Sequence, residues 1–385
     1  MTKVLFLNVT THGHVNPSLG LVKELCDRGV EVVYFSSEEF REKIEAAGAA
    51  YRPYHYDLNI FKGGFEVLLD HGLDIMQDIL DQIQNDSFDA VIHSIAMPFS
   101  KQLAEYLMVP AVSMLAVFTG LQDFMQPDKT HLAGKFKAMN DAYLLEAKKI
   151  EQALSIQMPT HFFDLIFNVE PLNIVFTSDY FMPEKDRAFF DEKYLLVGAD
   201  ISKRLEDTDG FPIERMKQAK NVLYISFGTI FGDFAKELYQ KIFDAFADSD
   251  YLVVMAAHHV GLENLTIPDN FIVQDYIPQN EVLKYADVAI THNGLNSMND
   301  LILNEVPFVS VPLGSDQPAL ADRLVELNAA IRLNYQQLDS AELKAAVEEV
   351  QVEPVYLTNL KKIKQSFLDA GGYKKAVDAI QDYLD

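Results

Sequence analysis

The stretch "VLFLNVTTHGHVNPSLGLVKELCDRGVEVVYFSS", Val4 to Ser37, contains the pattern that decides the fold. It begins and ends with short apolar runs that are rich in β-forming residues. Between these runs, apolar residues recur at helical spacing, at Leu19, Val22 and Leu25. A strand, a helix and a second strand in this order predict a parallel pair, because parallel neighbours need a crossover connection.

The helix of this unit has local start and stop signals. Asn16 is a suitable N-cap, Pro17 fits the first helical position, and Gly29 can end the helix. The segment before it, "TTHGH", carries two histidines at a turn where many α/β proteins carry glycines. That difference needs a chemical explanation.

The same alternation of apolar runs and helical segments recurs along the chain. In the first half the runs are "DAVIHSIA", "PAVSMLAVF" and "LNIVFTS"; in the second half they are "NVLYISFG", "YLVVMAAH", "FIVQDY", "DVAITHN" and "FVSVPLG". Continuous apolar strands separated by helices predict parallel sheets covered by helices on both faces. The fold class is therefore α/β.

A polar stretch between Gly198 and Lys220 interrupts the alternation and has no sustained apolar period. A chain of 385 residues is also too long for one typical core. We therefore expect a first domain over residues 1–205, a linker over 206–220, a second domain over 221–370 and a final amphipathic helix over 371–385.

Composition excludes several classes of partner. The chain has 32 basic and 57 acidic residues, a net charge of −25, which repels nucleic acid and anionic lipid. Its one cysteine, Cys26, cannot form an internal disulfide. The apolar start is too short for a signal peptide or a membrane span, so we expect a cytoplasmic protein.

The second half contains a candidate anion site, since ligands of open α/β sheets bind beyond the carboxyl ends of the strands. The segment "THNGLNSMNDLILNE" (291–305) follows a strand and becomes helical, which places Asn296 and Ser297 near free N–H groups. His292 could donate to the same anion, and Gly294 would let a ligand approach the backbone. Ordinary helix capping is the alternative. The chain has neither a G-x-G-x-x-G motif nor a Walker loop.

Five segments together carry a resemblance to a known family. "THGHVNPSL", "SFGT", "YIPQNEVL", "THNGLNSMNDLILNEVPFVSVP" and "DQPALADRLVEL" stand in the order and spacing of family 1 UDP-glycosyltransferases. The chain most resembles the bacterial macrolide and flavonoid glucosyltransferases. The resemblance implies the GT-B fold, in which two Rossmann-like domains face a cleft and the final helix packs back on the N-terminal domain.

The resemblance also implies how a UDP-sugar is bound by the second domain. Diphosphate contacts are implied for His292, Asn296 and Ser297, without an obligatory metal or other cofactor, and Thr229 would lie close to the phosphates or to the acceptor cleft. Tyr276 stands where plant members stack a tryptophan on uracil, and Gln279 matches the glutamine that contacts the ribose. Asp300 replaces the usual ribose-binding glutamate with a shorter side chain. Asp316 and Gln317 resemble the pair that binds the sugar hydroxyls.

His14 matches the catalytic histidine of this family, which removes a proton from the acceptor hydroxyl; His12 is expected to be a structural or rim residue. General-base catalysis contributes about 10²–10⁴-fold in typical enzymes. The positive end of the following helix dipole should keep the His14 ring neutral. Family members pair this histidine with an aspartate, but Ser94 occupies that position here. Serine can orient the ring but cannot balance the charge of an imidazolium.

The expected reaction is therefore inverting transfer of a hexose, by default glucose, from a UDP-sugar to a hydrophobic hydroxylated acceptor such as a macrolide or flavonoid. The Phe-, Leu- and Met-rich segments 59–76 and 116–136 are the expected acceptor walls. Ser94 supports one alternative, a catalytically weak relative that acts as a binding or accessory protein. A metal-dependent transferase using "DTD" (207–209) and a nucleotide-sugar epimerase are further alternatives.

Overall fold

The computed structural model describes the chain except residues 1, 59–63, 117, 120–133, 135, 204–205, 207, 229–235 and 258–264, and except the side chains of 64–66 and 236–237. The chain divides into two compact units. The first consists of Met1–Leu205 with Ala370–Asp385, and the second of Glu206–Asp369. Residues 206–220, expected as a linker, fall in the second unit.

The first unit is built on a parallel sheet of seven strands in the order β3-β2-β1-β4-β5-β6-β7. These strands are β1 Lys3–Leu7, β2 Glu31–Ser36, β3 Ala50–Pro53, β4 Ala90–Ser94, β5 Ala111–Leu115, β6 Leu172–Val175 and β7 Tyr194–Leu196. The helices between them are α1 His12–Asp27, α2 Arg41–Ala46, α3 Gly64–Ile83, α4 Ser100–Leu107, α5 Lys137–Leu154, α6 Phe163–Ile166 and α7 Glu184–Arg187, with one 3-10 turn at Glu38–Phe40.

The second unit has a parallel sheet of six strands in the order β10-β9-β8-β11-β12-β13. They are β8 Asn221–Ser226, β9 Tyr251–Ala256, β10 Phe271–Gln274, β11 Val288–Thr291, β12 Phe308–Ser310 and β13 Ile331–Arg332. The helices are α8 Ile213–Gln218, α9 Lys236–Phe246, α10 Gln279–Leu283, α11 Leu295–Leu303, α12 Gln317–Glu326, α13 Ser340–Val352 and α14 Pro354–Asp369.

The last helix, α15 (Gly372–Leu384), belongs to the first unit and packs on α1. Its Tyr373 is buried, and the hydroxyl lies 3.2 Å from the carbonyl oxygen of Pro17. A Cβ atom at Gly20 would lie 2.1 Å from the Tyr373 ring, so glycine is required for this close packing. Helix α1, which carries His14, is therefore packed against the C-terminal helix α15.

Apolar cores cover both faces of the first sheet. One contains side chains of α3 and α5, such as Ile75 and Ile150, and the other contains side chains of α1, α2 and α15, such as Leu21 and Ile380. The predicted α/β class is confirmed in both units. Three short strands, β3, β7 and β13, were not predicted.

The start of α1 differs from the prediction. The helix begins at His12, so Asn16 lies inside it and Pro17 is an interior proline instead of the first residue. Thr11 is extended, and its carbonyl oxygen accepts the N–H groups of His14 and Val15 at 3.0 and 2.9 Å. The first turn therefore closes before the expected cap. The predicted end is confirmed, since Gly29 follows the helix with a φ of +82°.

Within the described residues, no helix is both long enough and apolar enough to span a membrane.

Candidate active site

His14 and Ser94 meet at the carboxyl ends of two adjacent strands of the first unit. β1 pairs with β4 in a register that sets Leu7 opposite His93, so the turn after β1 reaches the last residue of β4. The His14 Nδ1 atom lies 2.9 Å from the Ser94 Oγ atom. Ser94 is buried, and its Oγ also accepts the Ala96 N–H at 3.3 Å.

The His14 ring is held neutral by its surroundings. Burial lowers the pKa of His14 to about 4, so the ring is neutral and can accept a proton at pH 7. Desolvation is the cause of this shift. His14 is also in the first turn of α1, where the dipole acts in the same direction.

A buried polar network beneath the His14 turn was missed by the sequence analysis. The Asn8 side-chain amide donates to the His14 carbonyl oxygen at 3.0 Å and to the Tyr34 hydroxyl at 2.8 Å. Ser18 Oγ lies 2.8 Å from the same hydroxyl, and the Asn8 N–H donates to Tyr54 at 3.2 Å. Thr11 provides no side-chain cap for α1, so Asn8 stabilises this turn from the end of β1. The signal in the sequence was an asparagine that interrupts the apolar run "VLFLNVT".

A second unpredicted pair, His93 and Glu170, lies behind Ser94. His93 is fully buried; its Nδ1–H donates to the Ser94 carbonyl oxygen at 2.9 Å, and its Nε2 lies 3.3 Å from Glu170 Oε1. Because the carbonyl can only accept, Nδ1 carries a hydrogen, and Nε2 faces the Glu170 carboxyl group. Glu170 therefore contacts His93, whereas Ser94 contacts His14.

His12, expected to be a structural or rim residue, contacts other groups. Its Nε2 atom lies 2.8 Å from Glu39 Oε1, and its ring packs edge-on against Phe40 at 4.9 Å. These contacts hold His12 at the edge of the turn that precedes His14.

In the second unit, α11 begins directly after β11 with Gly294 as its N-cap, and Asn296 and Ser297 lie in its first turn. The first N–H groups of any α-helix have no acceptor inside the helix and favour an anion. Ser310 Oγ donates to the Asn293 side chain at 2.9 Å, which fixes the residue before the cap. Thr229, predicted to be close to the phosphates, lies outside the described residues.

His292 is positioned by the pairing of β11 with β8, in which Thr291 is opposite Ser226. The Ser226 carbonyl oxygen accepts both the backbone N–H and the Nδ1–H of His292, each at 3.2 Å. Burial lowers the pKa of His292 to about 4. A Cβ at Gly228 or at Gly294 would lie 2.5 Å from the His292 Nε2 atom. In this structure Gly294 makes room for the His292 ring, a role that the sequence analysis did not assign to it.

Gln279 and Asp300, both predicted to contact the ribose, are bonded to each other. The Gln279 side-chain amide donates to the Asp300 carboxylate at 2.5 Å, and its oxygen accepts the Tyr224 hydroxyl at 2.8 Å. Asp300 is buried, whereas Tyr276 is half exposed, as a stacking residue must be. Glu206 was missed by the sequence analysis; its carboxylate accepts the Asn280 N–H at 2.8 Å.

Asp316 and Gln317 lie at the start of α12. Burial raises the pKa of the Asp316 carboxyl group. The Gln317 side-chain oxygen accepts the N–H groups of Leu313 and Gly314 at 2.8 and 3.1 Å, which closes the preceding loop. The Gln317 amide nitrogen is then the group that could donate to a sugar hydroxyl.

The predicted acceptor walls fall largely outside the described residues. Of the described part, Leu68, Ile75 and Met76 belong to the buried core. Glu146 of α5 is also buried there, and its carboxylate accepts the Leu73 N–H at 2.9 Å where α3 kinks at His71. Across the described positions no group of three His, Cys, Asp or Glu residues is arranged to hold a metal ion, and Asp207 of "DTD" is not among those positions.

Comparison with known proteins supports the resemblance. A family model described as "UDP-glucoronosyl and UDP-glucosyl transferase" matches residues 198–370. The UDP-glucosyltransferase YdhE of Bacillus subtilis (strain 168) is 35% identical, with 100% of this chain and 99% of the relative covered. The oleandomycin glycosyltransferase of Streptomyces antibioticus is 26% identical, with 99% of this chain and 90% of the relative covered.

Solved structures show the same fold. The glycotransferase of kitacinnamycin matches with a TM-score of 0.83 at 23% identity, over 100% of this chain and 99% of the other. The glycosyltransferase VinC, solved in complex with dTDP, matches with a TM-score of 0.71 at 16% identity, over 100% of this chain and 99% of the other. The fold of the chain is that of the GT-B glycosyltransferases.

Proposed function

Because the chain belongs to the family 1 UDP-glycosyltransferases and is a glycosyltransferase that uses a nucleotide sugar, we propose that it transfers glucose from UDP-glucose to hydrophobic small molecules. The acceptor group is a hydroxyl, and the anomeric carbon is inverted. The 35% identity to a UDP-glucosyltransferase over the full chain supports the choice of donor. The oleandomycin glycosyltransferase supports a macrolide-like acceptor, and a flavonoid fits the same chemistry.

The donor is held by the second unit in this proposal. The first turn of α11, with Asn296 and Ser297, receives the diphosphate next to His292. Tyr276 stacks on the uracil, and the bonded pair Gln279 and Asp300 faces the ribose. Oriented N–H groups and an imidazole take the part that a divalent cation plays in metal-dependent enzymes, so UDP should bind without added metal.

His14 is the general base of the proposed reaction. The acceptor oxygen forms a bond to the anomeric carbon while the bond from that carbon to the β-phosphate oxygen breaks. The hydroxyl proton goes to His14 Nε2, and the electron pair of the broken bond stays on the diphosphate. A neutral ring with Nδ1 bonded to Ser94 at 2.9 Å suits this step, because its Nε2 is the free base when Nδ1 carries the hydrogen.

The observation that carries the proposal is the pairing of His14 with Ser94 at the strand ends of a chain from this family. UDP-glucose is mixed with a panel of phenols, flavonoids and macrolides, and UDP release is measured with and without a chelator. His14→Ala should lower transfer by at least about 10²-fold while UDP binding stays within about threefold. His12→Ala is the matched control, and its transfer should stay within about threefold of wild type.

Three results would reject parts of this proposal. Unchanged turnover in His14→Ala removes His14 from the mechanism. Complete dependence of UDP binding on Mg²⁺ rejects the metal-free donor site. If the wild-type protein binds UDP-glucose but transfers nothing across the panel, the chain is a binding or accessory protein.

A further inference from the structure

The hydrogen bonds of His292 determine which of its nitrogens carries a hydrogen. The Ser226 carbonyl oxygen lies 3.2 Å from Nδ1, and a carbonyl oxygen can only accept, so Nδ1 carries the hydrogen. Burial keeps the pKa of the ring near 4, so the ring is neutral at pH 7. A neutral imidazole has one N–H group, and therefore Nε2 presents a lone pair.

The Nε2 atom lies at the proposed anion site. His292 is 8% exposed, and Nε2 stands 2.5 Å from the position of a Cβ at Gly294, the N-cap of α11. Gly228 bounds the same atom at the same distance from the other side. The Nε2 atom therefore lies beside the N–H groups that begin α11, which have no acceptor inside the helix.

A diphosphate bound at this position could not accept a hydrogen bond from Nε2 of the neutral ring. Its oxygens are hydrogen-bond acceptors, and two lone pairs facing each other repel. Neither moving the single hydrogen to Nε2 nor turning the ring over solves this, because either change would remove the hydrogen bond from Nδ1–H to the Ser226 carbonyl oxygen. The remaining solution is a second hydrogen on the ring.

We propose that His292 takes up a proton at Nε2 when a nucleoside diphosphate binds, and donates that hydrogen to the diphosphate as an imidazolium. This inference rests on the proposed donor site and adds a requirement to it. Because the His292 ring is neutral before binding and charged afterwards, the affinity for the diphosphate falls as the pH rises. In the interval between the two pKa values of the ring, the fall approaches about tenfold per pH unit.

Among the described residues, few charged groups lie on the elements around the His292 ring. The residues around it on β8, on β11 and in the first turn of α11 are uncharged: Ser226, Thr291, Asn296 and Ser297. The only carboxylate of α11 is Asp300, which is bonded to Gln279. Asp233 follows Gly228 in a segment outside the described residues, so Asp233→Asn is included as a control.

Titration calorimetry of the full chain with UDP-glucose at pH 7.5, in two buffers of different ionisation enthalpy, measures the proton uptake directly. UDP-glucose is the preferred probe because its diphosphate is esterified at both ends, whereas the terminal phosphate of UDP itself titrates near pH 6. We expect uptake of about one proton per site in the wild type. In His292→Gln, whose amide donates without titrating, we expect binding to persist with uptake near zero.

His14→Gln and Asp233→Asn should leave the uptake unchanged, because the proposal places the proton on His292 alone. Binding of UDP-glucose by the wild type without proton uptake, or the same uptake in His292→Gln, would overturn the inference while leaving the donor site intact. Failure of the wild type to bind UDP or UDP-glucose would overturn both. Normal uptake without transfer to any acceptor would instead reject the proposed reaction and support this inference.

Discussion

The Nδ1 atom of His14 lies 2.9 Å from the hydroxyl oxygen of Ser94, at a position where the family resemblance leads us to expect an aspartate. The hydroxyl can fix the ring in one orientation, but it brings no charge to balance the imidazolium that forms when His14 accepts a proton. The neighbouring carboxyl group of Glu170 contacts His93 at 3.3 Å. In the proposed reaction, the general-base step therefore lacks the electrostatic support that a carboxylate beside the His14 ring would give.

Replacing Ser94 with aspartate should supply that support. The new carboxylate would accept the Nδ1–H of His14 and the Ala96 N–H that now reaches Ser94 Oγ at 3.3 Å. We expect kcat to rise by at least about tenfold with a smaller change in KM, because the imidazolium develops only along the reaction. Steady-state kinetics with UDP-glucose and the best acceptor of the panel measure both constants.

Ser94→Ala is the control for the Ser94→Asp variant and should lower kcat, since it removes the orienting hydroxyl. Ser94 is 2% exposed, so the aspartate variant must first be shown to fold, by circular dichroism. A folded Ser94→Asp variant with unaltered or lower kcat would show that the missing carboxylate does not limit catalysis.

Asn8 should behave as a positioning residue for His14. In Asn8→Asp a carboxylate replaces the amide that donates to the His14 carbonyl oxygen at 3.0 Å, so this contact becomes repulsive. We expect kcat to fall by about tenfold or more and the free energy of unfolding to fall by about 1–3 kcal/mol, while UDP affinity stays within about threefold.

Asn85→Asp makes the same chemical change at an exposed position and should alter neither kcat nor the free energy of unfolding. Tyr34→Phe removes only one hydroxyl of the network and gives a milder test if Asn8→Asp fails to fold. Normal kcat in both folded variants would mean that the network stabilises the unit without positioning the base.

Gly294→Ala should disrupt the donor site through the His292 ring. The added Cβ would lie 2.5 Å from Nε2 and 3.0 Å from Cε1, so the ring must leave its place beside α11. We expect UDP affinity to fall by at least about tenfold, measured by titration calorimetry. Gly134→Ala, where a Cβ meets nothing within 4 Å, should bind UDP normally. Wild-type affinity in Gly294→Ala would exclude His292 from the diphosphate contact.

His292 should make the protein less stable in acid. Its pKa is about 4 in the folded state against an ordinary value of 6.5, so the unfolded chain binds this proton more readily. The contribution is complete above about pH 6.5 and is lost as the pH falls towards 4. Urea unfolding at pH 7 and pH 4.5 should show a stability loss about 2 kcal/mol smaller in His292→Gln than in the wild type.

The sequence by itself determined the fold class and the places where chemistry could occur. Apolar runs separated by amphipathic helices require parallel sheets, because each run must be buried on both faces. Most of the polar residues singled out, among them His14, Ser94, Gln279 and His292, follow or end strands, and the carboxyl ends of parallel strands share one edge of a sheet. Pattern and order along the chain were sufficient for these conclusions.

Only the tertiary structure decided which of these groups bond to each other. Gln279 bonds Asp300, Gln317 closes its own loop, and Gly294 is required by a histidine ring. Asn8, which the sequence analysis missed, bonds the hydroxyl of Tyr34, 26 residues away, and His14 bonds Ser94, 80 residues away. Local periodicity contains no information on such pairings, because hydrogen bonds and burial are set by strands that become neighbours only when the chain folds.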